Sequence, residues 1–164
     1  MQAAFSDRCL TPPVDYEMPG GFQKRFAEGL IQDLYARCAY LKSNSGELAI
    51  VSVDCVSFDA TLARAARRII EEHTGVSGDR VVISATHTHT GGPTADVLMS
   101  EHNDAYVRWV GEQVATGVIE ARRRAQEATI AWGTTSVPGI AHNRRWHMAD
   151  GSVETNPSGD NLVE

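Results

Sequence analysis

Val81-Val82-Ile83-Ser84-Ala85 runs directly into Thr86-His87-Thr88-His89-Thr90-Gly91-Gly92-Pro93. The first five residues are short, β-branched and mostly apolar, the composition of a buried strand. The rest is a polar turn that carries two histidines and two glycines. Ligands collect at the carboxyl ends of strands in α/β folds, so a buried run ending in such a cluster points to that class. Working back, Leu48-Ala49-Ile50-Val51-Ser52-Val53 is a second run of the same kind and ends in Asp54. Between the two runs, Leu62, Ala65, Ala66, Ile69 and Ile70 form one apolar stripe at helical spacing. Asp59 is placed to cap that helix and Gly75 to stop it.

The flanks extend the pattern. Residues 11–29 are turn-rich, with Pro12-Pro13 and Pro19-Gly20-Gly21, and are expected to form an ordered loop. Leu34 to Leu41 is expected to be a strand and Ser43-Asn44-Ser45-Gly46 a turn. A long helix is expected from about Asp104 to Ala125, with Val107, Val110, Val114, Val118 and Ala121 on one face. Arg122-Arg123-Arg124 then stand near its negative end. Thr129 to Val137 is expected to be a final strand. From Met148 the composition turns polar, and no apolar element is expected to close a core there. The expectation is an α/β fold, a layered mixed sheet flanked by helices, with the site at the strand carboxyl ends. Asp54, His87, His89 and the Asn143-Arg144 pair all stand just past expected strands.

Composition narrows the function classes. The 164 residues are 42% hydrophobic and 22% charged, ordinary for a soluble globular chain of one domain. The net charge of −6 argues against non-specific nucleic-acid binding. Cys9, Cys38 and Cys55 are an odd number with no paired spacing, which suits a reduced compartment. No apolar run approaches the roughly 20 residues of a membrane helix, and Met1-Gln2-Ala3-Ala4-Phe5 does not read as a secretory signal. As given, the chain is expected to be cytoplasmic.

The chemistry centres on His87-Thr88-His89. In extended chain, residues i and i+2 face the same way, so both rings can face one pocket. Neutral imidazole is a good zinc ligand, and zinc activates water near neutral pH. By itself such a pair fits a solvated turn equally well; the buried run before it and Gly91-Gly92-Pro93 after it favour a site. Asp54 suits either a partner for a histidine N–H or a plain cap at a strand end. Arg144 suits either a clamp on a carbonyl or carboxylate or a surface charge. His73 and His102 are expected to flank helices, while His142 and His147 have no recognised ligand spacing. Ser84 sits inside a strand and is no candidate nucleophile.

Thr11-Pro12-Pro13, Met18-Pro19-Gly20, Asp33-Leu34-Tyr35-Ala36-Arg37, Val51-Ser52-Val53-Asp54, the Thr86–Pro93 stretch and Asn143-Arg144 occur in that order. This series resembles the N-terminal catalytic domain of the neutral/alkaline, non-lysosomal ceramidases, over nearly the whole chain. The resemblance implies a zinc amidase that cleaves N-acylsphingosine to a fatty acid and sphingosine, a small-molecule lipid amide. It implies His87 as a zinc ligand, His89 as a substrate-facing donor to the reacting oxygen, and Arg144 at the acyl carbonyl or carboxylate. Asp54 carries over as a site-lining residue. Residues 1–164 are then expected to be the N-terminal part of a longer catalytic domain. A second histidine, a glutamate and a tyrosine would complete the zinc site beyond Glu164. Two other readings stay open: a zinc hydrolase of another amide or ester on this scaffold, and a non-catalytic binding or accessory domain.

Overall fold

The computed structural model describes residues 1–141 and 143–157, and the backbone of 162–163. Met1–Thr129 forms one compact unit and Ile130–Glu164 another. The first unit holds strands β1 (Gln2–Cys9), β2 (Tyr35–Ser43), β3 (Gly46–Val53), β4 (Val81–Ala85) and β5 (Gln126–Glu127), with helices α1 (Ala60–Thr74) and α2 (Asp104–Arg124). The five strands make one mixed sheet in the order β4-β3-β2-β1-β5. β1, β2 and β3 are antiparallel neighbours, whereas β3 and β4 run parallel across the α1 crossover.

The period-2 pleat decides which face is covered. Ala36, Cys38 and Tyr40 of β2, Ala49, Val51 and Val53 of β3, and Val81 of β4 are fully buried. They form one core with Ala66 and Ile70 of α1 and Val110, Val114, Val118 and Ala121 of α2. The opposite face carries the cross-strand row Phe5, Ala39, Ile50 and Val82. Phe5, Ile50 and Val82 of that row are exposed. Both helices pack against one face of the sheet, which gives the layered α/β arrangement of mixed sheet and helices that was expected.

Local chemistry sets the helix ends. Asp59 accepts from the Thr61 and Leu62 N–H groups at 2.6 and 2.8 Å. Such a cap stabilises by about 1 kcal/mol. Gly75 closes α1 at φ +74°, a left-handed stop that suits glycine. Asn103 caps α2 by accepting from the Tyr106 N–H at 3.0 Å. Tyr106 in turn donates its hydroxyl to the Leu10 carbonyl, tying the start of α2 to the end of β1.

His102, just before that cap, is held by two carboxylates. Its Nδ1 lies 2.7 Å from Asp96 Oδ1 and its Nε2 lies 3.1 Å from Asp104 Oδ1. The Asp96 hydrogen bond, then that of Asp104, raises its pKa above the ordinary histidine value. A raised folded value means the tie contributes fully below the unfolded value and is lost as pH rises through the folded one. An NMR titration of His102 is expected to show a midpoint above about 6.5, and Asp96→Asn is expected to lower it. A midpoint unchanged by Asp96→Asn would contradict this.

One expectation fails. Residues 129–137 form no strand; the pairing with β1 stops at Glu127, opposite Gln2. Ala128 N–H still reaches the Met1 carbonyl at 3.0 Å, which uses up the antiparallel partner row, and Ile130 and Trp132 are exposed. The polar end carries short paired strands. In the second unit β6 (Arg145–Met148) pairs antiparallel with β7 (Val153–Thr155) and with β8 (Leu162–Val163). The β6–β7 turn is set by Gly151 at φ +85° and by Asp150, which accepts from the Ser152 N–H at 2.9 Å.

Candidate functional site

β4 ends at Ala85, and the Thr86 N–H closes onto the Val53 carbonyl at 2.9 Å. His87 then adopts φ +62°, a left-handed conformation that costs a non-glycine residue on the order of 1 kcal/mol and tends to mark functional positions. The two histidines are thus not brought together by a continuing pleat, as the i, i+2 argument supposed. The kink at His87 turns the chain, and the rings meet edge to face, with centroids 4.9 Å apart and planes at 84°.

His87 Nδ1 lies 2.7 Å from the Val56 carbonyl oxygen. A carbonyl only accepts, so Nδ1 carries a proton and donates; in the neutral tautomer this fixes, the lone pair is on Nε2. A backbone carbonyl behind the ring is the usual way a ligating imidazole is oriented. Val56, which the sequence did not single out, fills the role considered for Asp54. Asp54 Oδ2 accepts instead from the Tyr35 N–H at 2.9 Å and from Arg37 at 3.0 Å. Arg37 also stacks over the Tyr35 ring at 5.0 Å. The Asp54 carboxylate therefore fixes the start of β2 while lining a cleft of about 510 Å³ with Arg37, Thr88, Thr90 and Gly91. Met18, Leu30 and Leu34 give the cleft apolar walls.

Behind the histidines the backbone is packed tightly. Gly91, Gly92, Pro93 and Thr94 are buried, and Thr94 Oγ1 donates to the Ser57 carbonyl at 2.9 Å. The Cys38 and Cys55 thiols are buried and pushed up to about 11 by that burial, so both stay protonated at neutral pH. Ser84 donates to the Val51 carbonyl at 3.3 Å. Arg144 belongs to the second unit, where it is exposed and its carbonyl accepts from the Asn156 N–H at 2.7 Å. His147 is exposed on β6, and His142 lies outside the described residues.

A mixed sheet with both helices packed on one face has a counterpart among solved structures. The fold is similar to that of neutral ceramidase from Pseudomonas aeruginosa. The TM-score is 0.67 at 16% identity, over 76% of this chain and 22% of that one. A ceramidase complexed with C2 matches with a TM-score of 0.63 at 19% identity, over 76% of this chain and 21% of that one. The chain thus spans about a fifth of the length of each. No protein-family model matches, and no curated protein matches by sequence.

On a neutral-ceramidase-like fold the donor set can be tested for zinc. His87 fits one corner: its Nδ1 is held by the Val56 carbonyl, and among the described residues its Nε2 makes no hydrogen bond. Among the described residues no three His, Cys, Asp or Glu side chains cluster to hold a metal. They therefore offer part of the four-coordinate shell zinc prefers and do not close it. Among the described residues no helix is long and apolar enough to cross a membrane.

Proposed function

We propose that residues 1–164 are the N-terminal part of the catalytic domain of a zinc-dependent amide hydrolase of the ceramidase type. Its reaction would convert N-acylsphingosine and water to a fatty acid and sphingosine. The observation that carries this reading is the His87 ring, held through Nδ1 by the Val56 carbonyl, on a fold similar to the ceramidases. Bound zinc supplies polarisation of the amide carbonyl and an activated water. In this reading His87 Nε2 holds the metal. His89 donates a hydrogen bond to the oxygen on which charge develops, and Arg144 contacts the acyl carbonyl or the product carboxylate. Asp54, held by Tyr35 and Arg37, keeps the wall of the cleft in place.

The test is release of sphingosine from N-acylsphingosine by the full-length protein. Hydrolysis is expected, with loss on chelation and recovery on adding zinc. Turnover of other amides or esters alone would place the chemistry on another substrate. A protein that binds N-acylsphingosine without cleaving it would overturn the hydrolase reading.

A second expectation concerns the 164-residue chain by itself. One or two histidines do not complete a zinc shell, so metal analysis after dialysis is expected to find well under one zinc per chain. Tight stoichiometric zinc would mean that further ligands lie within these residues.

A further inference from the structure

We infer that the hairpin formed by residues 15–27 is a positioning element for His89, acting through Gly20 and Arg25. The inference rests on the role proposed for His89.

The hairpin is built by backbone pairing. Asp15 N–H donates to the Ala27 carbonyl at 2.8 Å, Ala27 N–H to the Tyr16 carbonyl at 2.9 Å, and Met18 N–H to the Arg25 carbonyl at 2.9 Å. Its tip, residues 19–24, is pressed against the histidine turn. A Cβ at Gly20 would stand 2.7 Å from His89 Nδ1 and 2.9 Å from its Cγ. The imidazole therefore rests on bare backbone, and no side chain fits between. Gly20 also has φ +100°, a conformation that L-residues rarely adopt. Both the conformation and the contact demand glycine.

The second hold is on the main chain of the same residue. Arg25 Nη2 donates to the His89 carbonyl at 2.6 Å. Gly21 leaves room for that arm, since a Cβ there would meet Arg25 Nε at 3.0 Å. The His87 ring also stands edge to face with the His89 ring, centroids 4.9 Å apart. An exposed histidine in a threonine- and glycine-rich turn would otherwise sample several rotamers. Here its ring touches both bare backbone and a second ring, and its carbonyl is tied to a guanidinium. The residue thus reaches a reacting atom already oriented, which is where positioning contributes most to rate.

The test uses two variants and two readouts. In the 164-residue chain, the His89 side-chain χ1 couplings and the His87–His89 ring NOE report orientation directly. Wild type is expected to show one rotamer and the NOE. Gly20→Ala and Arg25→Gln are each expected to give averaged couplings and a weakened NOE, and Arg25→Lys is expected to restore most of both. Arg25 is exposed, so Arg25→Gln is expected to leave the thermal midpoint unchanged even if Gly20→Ala disturbs folding. In the full-length protein, Arg25→Gln is expected to lower kcat roughly 10- to 100-fold with a smaller change in KM. A single unchanged His89 rotamer in Arg25→Gln would overturn the inference. So would averaged couplings with unchanged kcat in an active enzyme. If the couplings average as expected while wild type hydrolyses no amide, the positioning stands and the hydrolase reading falls.

Discussion

His89→Ala in the full-length protein is expected to lower amide turnover roughly a hundred- to a thousand-fold while zinc per chain stays unchanged. His87→Ala is expected to lose zinc and activity together. The difference follows from what holds each ring. His87 Nδ1 is committed to the Val56 carbonyl at 2.7 Å, which leaves its other ring nitrogen as the one for a metal. Among the described residues the His89 ring makes no such hydrogen bond. Its ring rests against Gly20 and beside the His87 ring, contacts that orient it without fixing a tautomer. A group held in that way suits donation to charge that develops during attack and vanishes afterwards. Zinc content and hydrolysis are measured on the two variants side by side. If His89→Ala empties the site and His87→Ala leaves it full, the two roles are reversed.

Elements whose own side chains carried the apolar pattern were legible in the sequence. β3 and β4 were read from short β-branched runs, and α1 from a stripe whose Leu62, Ala66 and Ile70 are buried as expected. The cap at Asp59 and the stop at Gly75 were also read correctly. β1 was not, because its pleat is inverted relative to the usual signal. Ser6 points inward and donates to the Gly117 carbonyl at 2.6 Å, while Phe5 points outward and is 73% exposed. A strand that buries a serine and presents a phenylalanine has no hydrophobic alternation to detect. The stretch 129–137 misled in the opposite sense. Ile130 and Trp132 alternate with smaller residues as a strand would, but a strand needs a neighbour, and the β1 register gives none beyond Ala128. Among candidate site residues, the meeting of His87 and His89 was legible from spacing, although a left-handed kink accomplishes it rather than a pleat. The Val56 carbonyl and the hairpin brace were not legible, since a backbone acceptor and a bare glycine carry no side-chain signature.

Gly117→Ala is expected to destabilise the chain by up to about 2 kcal/mol, although alanine in a helix interior ordinarily gains about 1 kcal/mol over glycine. The reversal comes from the sheet beneath α2. A Cβ at Gly117 would stand 2.5 Å from Cys38 Sγ and 3.2 Å from Arg8 Cγ. Cys38 is fully buried and cannot swing aside into solvent. Arg8 is tied through its guanidinium to Gln113 at 2.8 and 3.0 Å and to Glu120 at 3.2 Å. The helix must therefore lift, which also stretches the hydrogen bond from Ser6 to the Gly117 carbonyl. Overpacking of this kind costs about 1–3 kcal/mol, more than the propensity gain. The pair Gly117→Ala and Cys38→Ala isolates the cause. Cys38→Ala alone removes a buried sulfur and leaves a gap, whereas in the double variant the new methyl group occupies that gap. The double variant is expected to be more stable than the sum of the single losses predicts, by a coupling of about 0.5 kcal/mol or more. Urea midpoints of the four proteins measure it. A Gly117→Ala chain that melts later than wild type would show that α2 does not lie this close to β2.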